Sequence, residues 1–206
     1  MHDRDLQQLL RKAGARVGQY SLQELQSHDW PQGHRVLTVQ QALAAAVPHA
    51  EQVIIDAKAA AVDEVLQLAN GSSVSQHAYL AEQLLQLMAA HEGCASRCLL
   101  WGKADKLIQL VEQRAPGQRA GYVVLRGTSA TRKEEQVQYS DPLRPSADSA
   151  LVAAVHHDLL DAQLVSALRS GGKSAYAWTA DAPAELQRLL DLGLDGIVTN
   201  KPVGAS

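Results

Sequence analysis

From residue 38 onward, six short apolar runs rich in β-branched residues, at 52–55, 97–101, 120–125, 150–155, 174–178 and 196–199, alternate with stretches of helical period. Each run is almost continuously apolar, the pattern of strands covered on both faces, as in parallel sheets. The helical stretches between them have recognisable ends. Thr38 and Gln41 stand at capping-box spacing ahead of Val39, Leu43 and Ala46, and Asp161 precedes Leu164, Val165 and Leu168 with Gly171 as the stop. Asp181 and Pro183 open a stretch carrying Leu186, Leu189 and Leu190, which Gly193 ends. The spacing therefore predicts strand, helix, strand crossovers, and since these are right-handed in nearly all proteins, an α/β fold with a parallel sheet and external helices. No repeat of identical sequence underlies the alternation.

Composition narrows the core and the partners. Aromatic residues make up 4% of the 206, with no Phe, so the core is expected to be Leu, Val, Ile and Ala, packed as helices on a sheet. A net charge of −3 provides no global positive field for nucleic acid or an anionic membrane. The longest apolar stretch, 42–47, is far shorter than the roughly 20 residues that span a bilayer. Neither a basic start nor an apolar h-region follows Met1, so no signal or transmembrane segment is expected, and the compartment is not legible. Cys94 and Cys98 are too few for a disulfide framework and are expected as thiols near a strand start, with His91 beside them completing no zinc site.

Two departures from a plain α/β pattern stand out. The first 35 residues are polar and Gln-rich, with a helix expected over 21–27 and no buried strand. Residues 126–149 form a long polar connection with Lys133, Glu134, Glu135, Pro142 and Pro145, expected as a mobile insertion or lid. No linker divides the chain, so 1–206 is expected to be one domain.

In parallel α/β folds ligands gather at the carboxyl ends of strands, and the polar residues there are the informative ones. The first run ends in Asp56-Ala57-Lys58, an acid and a base two apart that project to the same side of an extended backbone. Such a pair suits a metal-bound phosphate, the carboxylate holding a cation and the ammonium neutralising a phosphoryl oxygen; it also suits a solvated ion pair at a strand end. The other runs end at Lys103, at His156 and His157, at Trp178 to Asp181, and at Thr199 to Pro202. Clusters converging on one rim are what the active face of a (β/α)₈ barrel presents. Of the adjacent histidines only one can face that rim. His157 is expected there in a structural role and His156 as spare, while His28, His34, His49 and His77 are expected to be exposed. Ser170-Gly171-Gly172-Lys173-Ser174 is a helix stop, since a phosphate loop would follow a strand and open a helix.

With these residues in view, the chain resembles the glycerophosphodiester phosphodiesterase family, and within it the plant and algal branch. The resemblance is carried by His2-Asp3, Val17, Ser21 to Leu25, Val53 to Lys58, Leu100 to Asp105, Arg114-Ala115-Pro116, Gly121-Tyr122-Val123, His157 with Leu159-Leu160-Asp161, Tyr176 to Thr179 and Gly193 to Pro202. The final pair, an aromatic-Trp-Thr strand and a G-x-D-G-[IV]-[IV]-T-x-x-P strand, is its most specific part. The resemblance implies a (β/α)₈ barrel that hydrolyses glycerophosphodiesters to an alcohol and glycerol 3-phosphate, in lipid metabolism, with Mg²⁺ or Ca²⁺. It also implies roles. His2 matches the histidine of an H-D motif that acts as acid or base, Asp56 matches a metal carboxylate with Asp in place of Glu, Lys58 matches the phosphate-side lysine, and Trp178 matches the aromatic lining the glycerol pocket. The family's H-R-G and E-x-D motifs have no counterpart ahead of His2. On that basis the barrel is expected to be incomplete, with about six of eight strands, and the chain N-terminally incomplete, with weak metal binding, poor solubility and no phosphodiesterase activity of its own. The alternative is a non-catalytic barrel relative that binds a phosphate ester or a partner chain.

Overall fold

In a computed structural model of the chain, residues 6–30, 33, 35–59, 63–68, 70–126 and 139–202 are described. Six parallel strands form one sheet: β1 (Val53–Ala57), β4 (Cys98–Gly102), β5 (Ala120–Val124), β6 (Val152–His156), β7 (Ser174–Trp178) and β8 (Gly196–Ile197). They lie in the order β1-β4-β5-β6-β7-β8, so each strand pairs with its successor in the sheet, as staves of a barrel do. All six runs legible in the sequence are strands, their bounds shifted by two residues or fewer at most ends. A small antiparallel hairpin, β2 (Val65–Gln67) with β3 (Ser73–Ser75), was not foreseen. Its strands are too short and polar to show a period.

Helices occupy the intervals as the caps predict. Before β1 lie α1 (Gln7–Leu10), α2 (Leu22–Ser27) and α3 (Val39–Ala46), and the Thr38 side chain accepts from the Gln41 N–H at the head of α3. Between β3 and β4 come α4 (Gln76–Ala89) and the single turn α5 (Cys94–Arg97). After β4 the described residues also form α6 (Asp105–Arg114), α7 (Ala162–Ser170), capped by Asp161, and α8 (Pro183–Asp191), with Pro183 in its first turn. No strand precedes β1 among the described residues; Leu6, Ala15, Leu25 and Trp30 form a small separate cluster there.

Alternation along the strands divides the side chains between two faces. One set, including Leu100, Tyr122, Val124, Ala153, Val155 and Ala177, packs against α4, α6 and α7 in the main core. The other, Leu99, Trp101, Val152, Ala154 and Tyr176 with Ile54, Val123, Trp178 and Val198, forms a second cluster. The sheet is curled around this second set. The rings of Trp101 on β4 and Tyr176 on β7 meet edge to face at 6.1 Å, although in a flat sheet three strand spacings of about 4.8 Å would hold them far apart. The Gln52 amide closes the lower end, donating to the Tyr176 hydroxyl at 3.0 Å and accepting from Arg119 at 2.7 Å. Gly196 is required by the same ring, since a Cβ there would lie 2.3 Å from it. The result is an incomplete α/β barrel, as expected.

Three expectations are corrected. Cys94 and Cys98 form a disulfide, because the single turn of α5 brings their Cα atoms to 4.8 Å at the entry to β4. His77 is buried, 1% exposed, at the head of α4, with its Nδ1 3.7 Å from Asp63. Sequence context alone, a polar neighbourhood, hid the fact that the helix turns that face inward. Finally, the C-terminal part of the connection after β5 is packed. Arg144, 5% exposed, makes a two-point pair with Asp105 of α6 (2.8 and 2.7 Å) and lies over the Tyr122 ring. Lys173 donates to the carbonyls of Ala147, Asp148 and Ala150. Residues 127–138 lie outside the described part.

Candidate functional site at the carboxyl rim

Asp56 and Lys58 rise from the carboxyl end of β1. Period-2 alternation puts Asp56 on the face of Ile54, inside the curl, opposite Trp101 in register. The Lys58 ammonium donates to Asp56 Oδ2 at 2.6 Å, and both side chains are about 40% exposed (42% and 40%), so the pair is side by side and open to solvent. On the same face and at the same end of β7 stands Trp178. Its indole N–H donates to the Ala154 carbonyl of β6 at 2.9 Å, which fixes the ring. His2 lies outside the described residues.

The β6 end differs from expectation. His156, not His157, faces the inside of the curl: it is in register with Trp178 and meets that ring edge to face at 5.2 Å. His157 turns outward, its Nδ1 2.8 Å from Glu185 of α8, which Arg188 holds at 2.7 Å. Burial first, then His157 and Arg126, lower the His156 pKa against the opposing pull of Asp158, so its imidazole is neutral at neutral pH. The Arg188 and His157 hydrogen bonds pull the Glu185 carboxyl from 4.5 to about 2. Asp181, at the end of β7, accepts from Thr199 Oγ1 (3.0 Å) and from the Asn200 N–H (2.7 Å), joining the last two strand ends. In the sequence His156, His157, Asp181, Thr199 and Asn200 stand out as strand ends and Glu185 and Arg188 do not; the pairings of His157 with Glu185 and of Asp181 with Thr199 span 28 and 18 residues and leave no local signal.

Whether the rim suits a divalent cation depends on its donors. A hard cation takes six or more oxygen ligands, and among the described residues no group of three potential ligands includes Asp56. The only group of three potential ligands among them is His156, His157 and Asp158, with donor atoms within 4.8 Å of one another. There Asp158 is already paired with Arg126, and His157 Nδ1 with Glu185, so two of the three residues already have partners at the atoms a metal would use. The described residues alone do not complete a site for Mg²⁺ or Ca²⁺. A cavity of about 600 Å³ lies elsewhere, lined by Gln26, His28, Trp30, Arg35 and Leu37. No helix among the described residues is long and apolar enough to cross a membrane.

Comparison with known proteins places this rim in context. A glycerophosphodiester phosphodiesterase of Arabidopsis thaliana is 29% identical over 98% of the chain, and the chain spans 57% of that relative's length. Among solved structures, a glycerophosphodiester phosphodiesterase from Parabacteroides distasonis superposes with a TM-score of 0.67 at 15% identity, over 97% of this chain and 72% of that one. A phosphodiesterase of Oleispira antarctica, in complex with the product sn-glycerol-3-phosphate, gives 0.68 at 16% identity, over 97% and 74%. At such identities the structures establish the shared fold. The sequence profile of one family matches residues 1–203, and on that match the chain belongs to the glycerophosphoryl diester phosphodiesterase family.

Proposed function

We propose that the rim over β1 and β7 is the phosphate- and glycerol-holding part of a site for glycerophosphodiester hydrolysis, in which a diester and water give an alcohol and glycerol 3-phosphate. The observation that carries this is the Asp56–Lys58 pair at the carboxyl end of β1, on the face it shares with Trp178. Lys58 would leave Asp56 for a phosphoryl oxygen and neutralise the charge that develops there. Trp178, fixed through its indole N–H, offers an apolar wall to the carbon skeleton of the glycerol. His2 is the proposed acid or base. Asp56 is the carboxylate proposed to meet a cation, since Asp158 is engaged by Arg126 and Asp181 by Thr199 and Asn200, so Mg²⁺ or Ca²⁺ is expected to bind weakly, on the order of millimolar. The same scarcity of carboxylates favours the second reading, a barrel relative that holds a phosphate ester without turnover.

Both readings are tested by following glycerol 3-phosphate release from glycerophosphodiesters with Mg²⁺ or Ca²⁺, alongside titration of glycerol 3-phosphate into the protein. The 206-residue chain is expected to bind the ester saturably with release below detection. Lys58→Met should weaken binding roughly tenfold or more, the loss of a charged hydrogen bond. Strong metal-dependent release would establish turnover and overturn the non-catalytic reading. No saturable binding would overturn the site.

A further inference from the structure

We infer that His156 is the residue that reads the glycerol hydroxyls of a phosphate ester bound at this rim, donating from Nε2 beside Trp178. The inference rests on the phosphate-ester reading of the rim and assigns a residue to the part of the ligand that Lys58 cannot recognise.

His156 closes β6 on the inside of the curl, in register with Trp178, and its ring meets the indole edge to face at 5.2 Å. The two form one wall, apolar at Trp178 and polar at His156. Nδ1 accepts the Asp158 backbone N–H at 3.3 Å, so in the neutral ring the proton sits on Nε2. Among the described residues Nε2 has no hydrogen-bond partner, and the side chain is 21% exposed. An exposed donor of this kind needs no rearrangement to meet a ligand.

The ring is also held in place. It stacks on His157 at 4.6 Å with the planes 24° apart; His157 is anchored to Glu185, and Asp158 is paired with Arg126. Little rotamer freedom remains to be lost on binding. A neutral N–H donor next to an aromatic wall matches the hydroxyls and carbons of a polyol, and a phosphate would go instead to the lysine. The titratable groups around His156 are His157 and Asp158 next to it in sequence and Arg126 from the end of β5; burial and the two cations outweigh Asp158, which keeps the ring neutral.

The test compares sn-glycerol 3-phosphate with ethyl phosphate, which has the same phosphate and no free hydroxyls, by calorimetric titration into wild type, His156→Ala and His156→Asn. Wild type is expected to prefer the glycerol ester, and His156→Ala to lose about three- to tenfold of that preference while its affinity for ethyl phosphate is unchanged, the size of one neutral hydrogen bond. His156→Asn, which keeps a donor, should retain part of it. In the unsubstituted protein, the ¹⁵N resonance of His156 Nε2 should move with the glycerol ester and stay in place with ethyl phosphate, a readout independent of how the variants fold. Equal losses for both ligands, or an unaltered preference in His156→Ala, would overturn the inference and leave the phosphate site standing. Wild type binding neither ligand would overturn the phosphate-ester reading itself, and the inference with it.

Discussion

At the scale of single residues the rim is a set of polar groups whose partners are already chosen. Glu185 illustrates the consequence for pH. Hydrogen bonds from Arg188 and His157 lower its carboxyl from 4.5 to about 2, so the native state binds that proton less readily than the unfolded chain does. Its contribution to stability is therefore complete above about pH 5 and is lost as pH falls from 4.5 toward 2. Glu185→Gln should have a lower urea midpoint than wild type at pH 6, and that gap should close as pH falls toward 3. A gap of equal size at both pH values would contradict the assignment. His157 and Arg188 are visible in the sequence as ordinary polar residues. Arg188 stands one turn from Glu185 on α8, a spacing the sequence does show, but nothing near His157 could pair it with Glu185, 28 residues away. The orientation of His156 escapes for a related reason: of two adjacent histidines, whose rings stay stacked, the one that faces the inside of the curl depends on where the strand ends.

At the scale of elements the strands and caps were legible because each carries a local cause: a continuous apolar run, a Thr or Asp ahead of a helical period, a Gly after it. What escaped was the path of the chain from β5 to β6, because its anchors come from distant elements. Arg144 and Asp105, both 5% exposed, form a two-point ion pair that Ser146 supplements at 2.5 Å, with the Tyr122 ring against the guanidinium. Arg144→Met should destabilise the protein by about 3–5 kcal/mol in urea unfolding, because it leaves the Asp105 carboxylate buried without its cation. The double substitution Asp105→Leu with Arg144→Met should recover part of that loss. A change under about 1 kcal/mol in the single variant would show that the pair does not hold this segment. Burial also raises the Tyr122 hydroxyl to about 12, so this latch stays neutral at the tyrosine across the physiological range.

At the scale of the molecule, six strands in barrel order bend until β4 and β7 touch across the inside, and that curvature is what brings β1 and β7 onto one rim. The sequence carried the order of strands and helices; the curvature came from pairings over 75 to 124 residues, Trp101 with Tyr176 and Gln52 with Tyr176, that no local pattern encodes. Family membership joins the two levels, since the motifs that carried the resemblance contribute Asp56, Lys58, Tyr176 and Trp178 to the one face inside the curl. The central claim, that this face receives an esterified phosphate, is tested most directly by a crystal structure with sn-glycerol 3-phosphate. The phosphate should lie within hydrogen-bond reach of Lys58 Nζ, with the glycerol carbons against Trp178. A molecule bound instead in the cavity between Trp30 and Arg35, with the Asp56–Lys58 pair undisturbed, would contradict it.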